Sequence, residues 1–374
     1  MRAIYFCRYL PGLHQLLPLL GQLPGPLWTD DAEVARACRR IAPAQPLHRV
    51  WPSKRWCVER LARRLEGDVF IGTNAHPQFF NRVRGPRVQC FHGVSSKGFA
   101  AQWRNTRYFD LCLLAGERMR RDFERAGLLD TVRCEVVGHI RGDRLARGDF
   151  DSAAFKRAHR LDAGAPTVLY APTWSGLSSF NDHGLEIAQA VPPEWNFVAK
   201  LHPWTIRRRD APAMVRAFTA WISARPRGAL LPIDDDIHPA MAAADLMIGD
   251  RSSTCEEFLL LDRPILFFDH LTGRAGLDEQ TRALVERGDW SDLHRCGPVV
   301  CSGLELRDAL IHVQAHPSEH GDQRRRMRDF VFHQPDGRAA ERAAVAIARL
   351  AGEMRDRVFG QRIFEASGAG VRED

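Results

Sequence analysis

The 374-residue sequence predicts an α/β protein of two open domains with parallel sheets, and three observations carry that expectation. Short apolar runs alternate with helical patterns along most of the chain. Runs such as Leu246–Ile248 and Ile265–Phe268 are apolar throughout, as strands covered on both faces are. The length also exceeds what one hydrophobic core usually organises.

Strands are expected over Ala3–Cys7, Leu47–Trp51, Asp68–Gly72, Arg87–Phe91, Asp110–Ala115 and Cys134–Val137. Between them, the stretch 30–40 opens with acidic and closes with basic residues, matching a helix dipole. Residues 54–65 and 117–126 carry similar periodicity. From Arg147 to Pro166 the pattern becomes polar and ends in Asp-Ala-Gly-Ala-Pro, which places a domain boundary near residues 155 and 156. A second series then begins, with strands at Thr167–Tyr170, Phe197–Leu201, Ala229–Leu231, Leu246–Ile248, Ile265–Phe268 and Val299–Cys301. Helices are expected near 211–223, 239–243 and 252–261, and long helical patterns at 304–316 and 339–357 close the second domain.

Composition narrows the classes of function. The net charge is +7, and the excess is arginine, which suits phosphates, carboxylates or an anionic surface. Taken alone, the runs Arg207–Arg209 and Arg324–Arg326 read as solvated helix faces. The tryptophans do not interleave with basic residues as in a nucleic-acid platform, so no nucleic-acid partner is expected. Nine single cysteines, without a CxxC pair or a His/Cys frame for zinc, read as reduced buried thiols in a cytoplasmic protein. No segment offers the roughly 20 apolar residues of a membrane span. Contact with the inner face of a membrane would have to be peripheral.

The chemistry concentrates at strand ends. Asp250-Arg251-Ser252-Ser253-Thr254 follows a buried strand and opens a helix, so hydroxyls stand where unpaired N–H groups and the positive dipole end attract a phosphate or diphosphate. A plain Ser cap on a structural helix would look similar. His92-Gly93, with Lys97 five residues beyond the histidine, follows the run ending at Phe91; a histidine there suits a general base and the lysine a phosphate. Lys200 and His202 lie two apart at the end of a strand that Pro203 stops, hence on one side of an extended chain, where they could hold a diphosphate. Ala171-Pro172-Thr173-Trp174 supplies a hydroxyl-bearing turn without GxGxxG spacing, which disfavours a dinucleotide.

Taken in order, His92-Gly93 with Lys97, Gly138 with Arg141 and Asp143, Ala171-Pro172-Thr173-Trp174, Lys200-Leu201-His202-Pro203, Asp250 with Ser252-Ser253, Glu257-Phe258, Arg263-Pro264-Ile265 and Asp336-Gly337 resemble the CDP-glycerol glycerophosphotransferase family of teichoic acid and capsule polymerases. The resemblance covers roughly residues 87–345. It implies a GT-B fold of two Rossmann-like domains facing a cleft, the first (1–155) on the acceptor side and the second (156–374) holding the nucleotide donor.

The implied reaction moves glycerol or ribitol phosphate from a CDP-activated donor to a hydroxyl of a glycan or lipid-linked acceptor, releasing CMP. By the same resemblance His92 and His202 are the essential histidines, His92 as base and His202 with Lys200 on the diphosphate. Ser252, Ser253 and Thr254 would hold the diphosphate, and Glu257 would reach the ribose. Gly93, Lys97, Arg141, Asp143, Thr173 and Asp250 complete the implied substrate-binding set. No cofactor is required, and Mg2+ could enter only with the donor diphosphate, since Asp250 alone makes no cage. A GT-B glycosyltransferase with a nucleotide-sugar donor is the alternative.

The chain departs from the family's pattern at Phe91 and Val94, where Trp and Thr are common, and at Ile140, where Pro is usual. It departs again at Ser175-Gly176, where Arg usually follows the aromatic residue, and at Arg251, where Tyr is common. These changes bear on which polyol is carried.

Overall fold

The structure is a computed structural model that describes residues 1–74, 76–94, 106–207, 212–287 and 290–368. It divides into two compact units. The described residues within Met1–Gly93, Ala100–Arg141 and Arg338–Asp374 form the first, and those within Val94–Phe99 and Gly142–Gly337 the second.

The first unit holds a parallel sheet of β1 (Ala3–Phe6), β2 (Leu27–Thr29), β3 (Leu47–Arg49), β4 (Val69–Gly72), β5 (Arg87–Gln89), β6 (Leu111–Leu114) and β7 (Arg133–Val136). Its order is β3-β2-β1-β4-β5-β6-β7, the doubly wound arrangement in which the chain starts centrally, fills one side, then crosses to the other. β1 aligns Ala3 with Val69 and Tyr5 with Leu27. Strand β2 escaped the sequence reading. It is three residues long and lies in a Pro- and Gly-rich stretch, and tertiary pairing, not local propensity, makes it a strand.

The second unit repeats the plan with β8 (Thr167–Tyr170), β9 (Asn196–Ala199), β10 (Gly228–Leu230), β11 (Leu246–Gly249), β12 (Ile265–Phe268) and β13 (Val299–Val300), ordered β10-β9-β8-β11-β12-β13. Strands β8, β9, β11 and β12 are buried along their whole length because helices cover both faces. Phe180, Phe197, Phe218, Leu246, Ile248 and Leu306 belong to the core on one face.

The expected boundary at residues 155 and 156 moves, and the closing helix changes sides. Helix Ala339–Gly368 belongs to the first unit, where Ala339, Ala340, Ala343, Ala346 and Ile347 pack into the core around helix Leu10–Gln22. Small residues on one helical face allow that close approach. Arg342 Nε donates to the Val137 carbonyl at 2.8 Å and Arg133 pairs with Glu353 at 2.6 Å, fixing the helix to the end of β7.

In the arginine run at 324–326, Arg325 and Arg326 are exposed as a solvated helix face requires, but Arg324 is not. Arg324 is buried, with its guanidinium donating to the carbonyls of Glu319 and Pro317 and to Asp262, so it is structural. In the run 207–209, Arg208 and Arg209 lie outside the described residues. All nine cysteines are free thiols; Cys301 is exposed, and Cys57 and Cys134 are half-buried, against the expectation of burial throughout.

Candidate active-site residues in each unit

In the first unit, the expected base stands at the C-terminal edge of the sheet. Phe91 takes a left-handed backbone (φ 48°), an uncommon state for a bulky residue. Its ring is buried edge-on to Phe123 at 5.8 Å, so packing holds the turn that carries His92 out of β5. The His92 imidazole meets Tyr9 edge-on at 5.2 Å. Gly93 stands where an added Cβ would meet nothing within 4 Å.

Gln15, buried on helix Leu10–Gln22, ties two loops together. Its amide donates to the Cys90 carbonyl at 3.2 Å and accepts from the Arg141 N–H at 3.3 Å. Arg141 is therefore fixed near the root of the His92 turn by a residue the sequence reading did not single out. Nothing local marks Gln15, since its partners lie 75 and 126 residues away. Lys97 lies outside the described residues.

His76 is a second addition. Its ring is edge-on to Phe6 at 5.4 Å, and burial, with Arg8 and His92 adding positive potential, lowers its pKa from 6.5 to about 4. The unfolded chain takes up this proton near pH 6.5, whereas the folded one resists until about 4. Stability is thus complete above that window and is lost as pH falls through it, by about 3 kcal/mol. Melting temperature against pH should show this acid limb in the wild type and a shallower one in His76→Gln; equal slopes would remove His76 from the account.

In the second unit, the chain leaves β8 at the centre of the sheet and later returns beside it as β11, so the loops after these strands diverge into a crevice. Asp250 organises it. The buried carboxylate accepts the Thr173 N–H at 2.8 Å, the Ser179 N–H at 2.9 Å and the Ser179 hydroxyl at 3.0 Å. Both oxygens are thus engaged in pinning the loop after β8.

Ser252 caps helix Ser253–Phe258 through the Thr254 N–H. The two hydroxyls meet at 2.8 Å, and that of Thr254 donates to the Ala171 carbonyl at 3.2 Å. These bonds stitch the β11 turn to the β8 turn. Ser253, half-buried at the first helical position, shows no hydroxyl hydrogen bond among the described residues.

Lys200 and His202 diverge, contrary to the same-side expectation. β9 ends at Ala199, so strand alternation no longer governs them. Lys200 Nζ donates to the Pro232 carbonyl beyond β10. The His202 ring stacks on Trp174 at 5.7 Å, and its Nδ1 accepts the Trp204 N–H at 3.2 Å. Trp174 and Trp204 are both exposed and lie 6.3 Å apart, so His202 is set in an open aromatic group at the ends of β8 and β9.

Glu257 is buried with His238 Nε2 at 2.6 Å. Arg251 is buried too, donating to Asp269 at 2.8 Å and Thr272 at 2.9 Å. Burial alone would raise the Asp269 carboxyl; the Thr272 hydroxyl and the Arg251 charge bring it below the ordinary value. Asp143 is buried at the start of helix Asp143–Ala146. Gly337, with φ 77°, lies so close that a Cβ there would stand 2.9 Å from the Asp143 carbonyl oxygen, which explains glycine after Asp336.

A cavity of about 760 Å³ in this unit, lined in part by Gly176, Ser178, Asn181, Arg274 and Thr281, includes none of the expected site residues. Among the described residues, no three His, Cys, Asp or Glu groups gather as a metal site would require.

The sequence profile of the CDP-glycerol:poly(glycerophosphate) glycerophosphotransferase family matches residues 69–349. Over 130 residues the chain is 31% identical to the teichoic acid glycerol-phosphate primase of Bacillus spizizenii, a stretch spanning 32% of this chain and only 30% of that relative. The solved wall teichoic acid polymerase TagF, soaked with CDPG, is similar at a TM-score of 0.66 and 15% identity, over 94% of this chain and 89% of that one. The UDP-GlcNAc 2-epimerase of Neisseria meningitidis bound to UDP-GlcNAc is similar at 0.61 and 12%, over 93% of this chain and 100% of that one. These likenesses show the GT-B fold, and the match over most of its length shows that the chain belongs to the CDP-glycerol:poly(glycerophosphate) glycerophosphotransferase family.

Proposed function

We propose that the chain transfers a polyol phosphate, glycerol phosphate or ribitol phosphate, from a CDP-linked donor to a hydroxyl of a glycan or lipid-linked acceptor at the cell envelope. The observation that carries this reading is the stitched crevice of the second unit. There, Ser252, Thr254, Thr173 and Asp250 fix the turns of β8 and β11 against each other, leaving the Ser253 hydroxyl at a helix start. Pre-set donors of this kind suit a diphosphate, because phosphoryl transfer draws on positioned charge more than on covalent chemistry.

In the proposed step, an acceptor oxygen attacks the donor's β-phosphorus. The new P–O bond forms as the bond to the CMP oxygen breaks, and His92 takes the hydroxyl proton. His202 balances charge on the departing CMP. Glu257 and its His238 partner would set the floor under the ribose. No cofactor held by the chain is called for, and Mg2+ would arrive on the diphosphate. The reaction would run at the inner face of the membrane; among the described residues no helix is long and apolar enough to cross it.

The test is a donor panel of CDP-glycerol, CDP-ribitol and nucleotide sugars, read by the nucleotide released. CMP from a CDP-polyol is the expected result. UDP from a UDP-sugar, with no CMP, would replace this reading by glycosyl transfer.

A further inference from the structure

A cavity of about 190 Å³ belongs wholly to the first unit, and its walls carry groups that the proposed step does not use. Strands β2, β1 and β4 are neighbours in the sheet, so the segments that follow their C-terminal ends come together. They bring Asp30, Arg8 and His76 to the cavity, joined by Gln78 on helix Pro77–Phe80 and by Ser53 and Arg55 at the start of helix Arg55–Ala62. Phe6 and Val58, both buried, add apolar wall.

Asp30 is the unexplained group. Its side chain is only 2% exposed, and Arg8 Nε stands 2.9 Å from Oδ1 as an ion pair. That approach lacks the alignment of a hydrogen bond, and among the described residues Oδ1 receives none. Burial raises the Asp30 carboxyl above its ordinary pKa, with the Arg8 charge opposing. An ion pair made for stability alone would seat the guanidinium fork on both carboxylate oxygens. A buried carboxylate short of donors, on the wall of a cavity, suits a ligand's hydroxyls instead.

The remaining walls narrow the ligand. The side chains of Arg8 and Arg55 are both exposed, which puts two cations at the mouth. Arg55 holds Glu59 at 2.8 Å through Nε and keeps further N–H donors. Guanidinium forks of this kind match a phosphate. The volume falls short of the roughly 300–1,000 Å³ that encloses a drug-sized molecule. It leaves room for a short carbon chain and excludes a nucleotide.

We propose that this cavity is a subsite for a polyol phosphate, with Asp30 accepting from the polyol hydroxyls, the carbon chain against Phe6 and Val58, and Arg8 and Arg55 on the phosphate. His92 stands close by, since its ring meets that of Tyr9, the residue after Arg8, and its charge is felt at His76. The subsite would hold the last unit of an acceptor with its hydroxyl beside the proposed base. Asp30 would then select an acceptor that already ends in a polyol phosphate over a bare glycan. This consequence rests on the proposed transfer; the binding of a polyol phosphate does not.

The purified full chain would be titrated calorimetrically with glycerol 3-phosphate, ribitol 5-phosphate, glycerol and inorganic phosphate, each with CDP present to fill the donor crevice. At least one polyol phosphate should bind, with glycerol and inorganic phosphate about tenfold or more weaker. Asp30→Asn, which keeps the shape but removes the charge, should weaken polyol phosphate binding about tenfold or more and leave CDP affinity unchanged. In turnover, the same variant should raise KM for soluble di(glycerol phosphate) by a similar factor. Polyol phosphate binding that depends on Asp30 in a chain that releases no CMP would support the subsite and count against the transferase reading alone. Absence of binding by either polyol phosphate, or equal binding by wild type and Asp30→Asn, would overturn the proposal. So would inorganic phosphate binding as tightly as the polyol phosphates, which would make the cavity an anion site only. Should Asp30→Asn fail to fold, Arg55→Gln, altered at an exposed side chain, supplies the same comparison.

Discussion

Replacing His92 by alanine should lower the rate of CMP release by about three orders of magnitude, the usual range for a lost general base, while leaving donor affinity close to wild type. The split follows from where the groups lie. His92 rises from the end of β5 in the first unit, on a turn held by the packed Phe91 ring and by the Gln15 link from Cys90 to Arg141. The hydroxyls and N–H groups proposed for the diphosphate all lie in the second unit. A base acts on the acceptor proton in the transition state, so its loss appears in kcat and not in ground-state donor binding. Calorimetric titration with the CDP-polyol, beside single-turnover rates, measures both. Donor binding weakened in parallel with rate would move His92 from base to donor contact.

Asp250→Ala should be the most damaging change in the second unit, costing roughly 3–5 kcal/mol of stability. One buried carboxylate receives the Thr173 N–H, the Ser179 N–H and the Ser179 hydroxyl. Alanine leaves all three donors without that acceptor, and water reaches a buried site poorly. Asp250→Asn keeps one acceptor oxygen and should fall between wild type and alanine. Donor affinity should drop with stability, because the loop carrying Thr173 loses its anchor to the β11 turn. Denaturant midpoints for the three proteins, with donor titrations, check the ordering. An alanine variant as stable as wild type would show that Asp250 does not pin the loop.

The strand runs of both sheets were legible because strands buried on two faces must be apolar throughout, and helix starts such as Ser252 were legible because caps are local. The short strand β2 and the buried Arg324 were not, since each is decided by partners far along the chain. The same holds within the site. His92 and Ser252 stood out through residue type next to a strand end. Gln15 and His76 carry no local mark, and the paths of Lys200 and His202 could not be read once β9 stopped at Ala199.

The amino-acid sequence by itself determined the α/β class, the order of the strands' apolar runs and the family, because these depend on residue type and spacing along the chain. Tertiary structure alone decided that helix Ala339–Gly368 returns to the first unit and that Asp250 binds the β8 loop rather than standing open. It also decided that Lys200 and His202 turn to different neighbours. The physical reason is common to all three. A side chain's hydrogen bonds and packing are settled by groups brought near it through folding, and the free energy of those contacts is not written in the residues beside it.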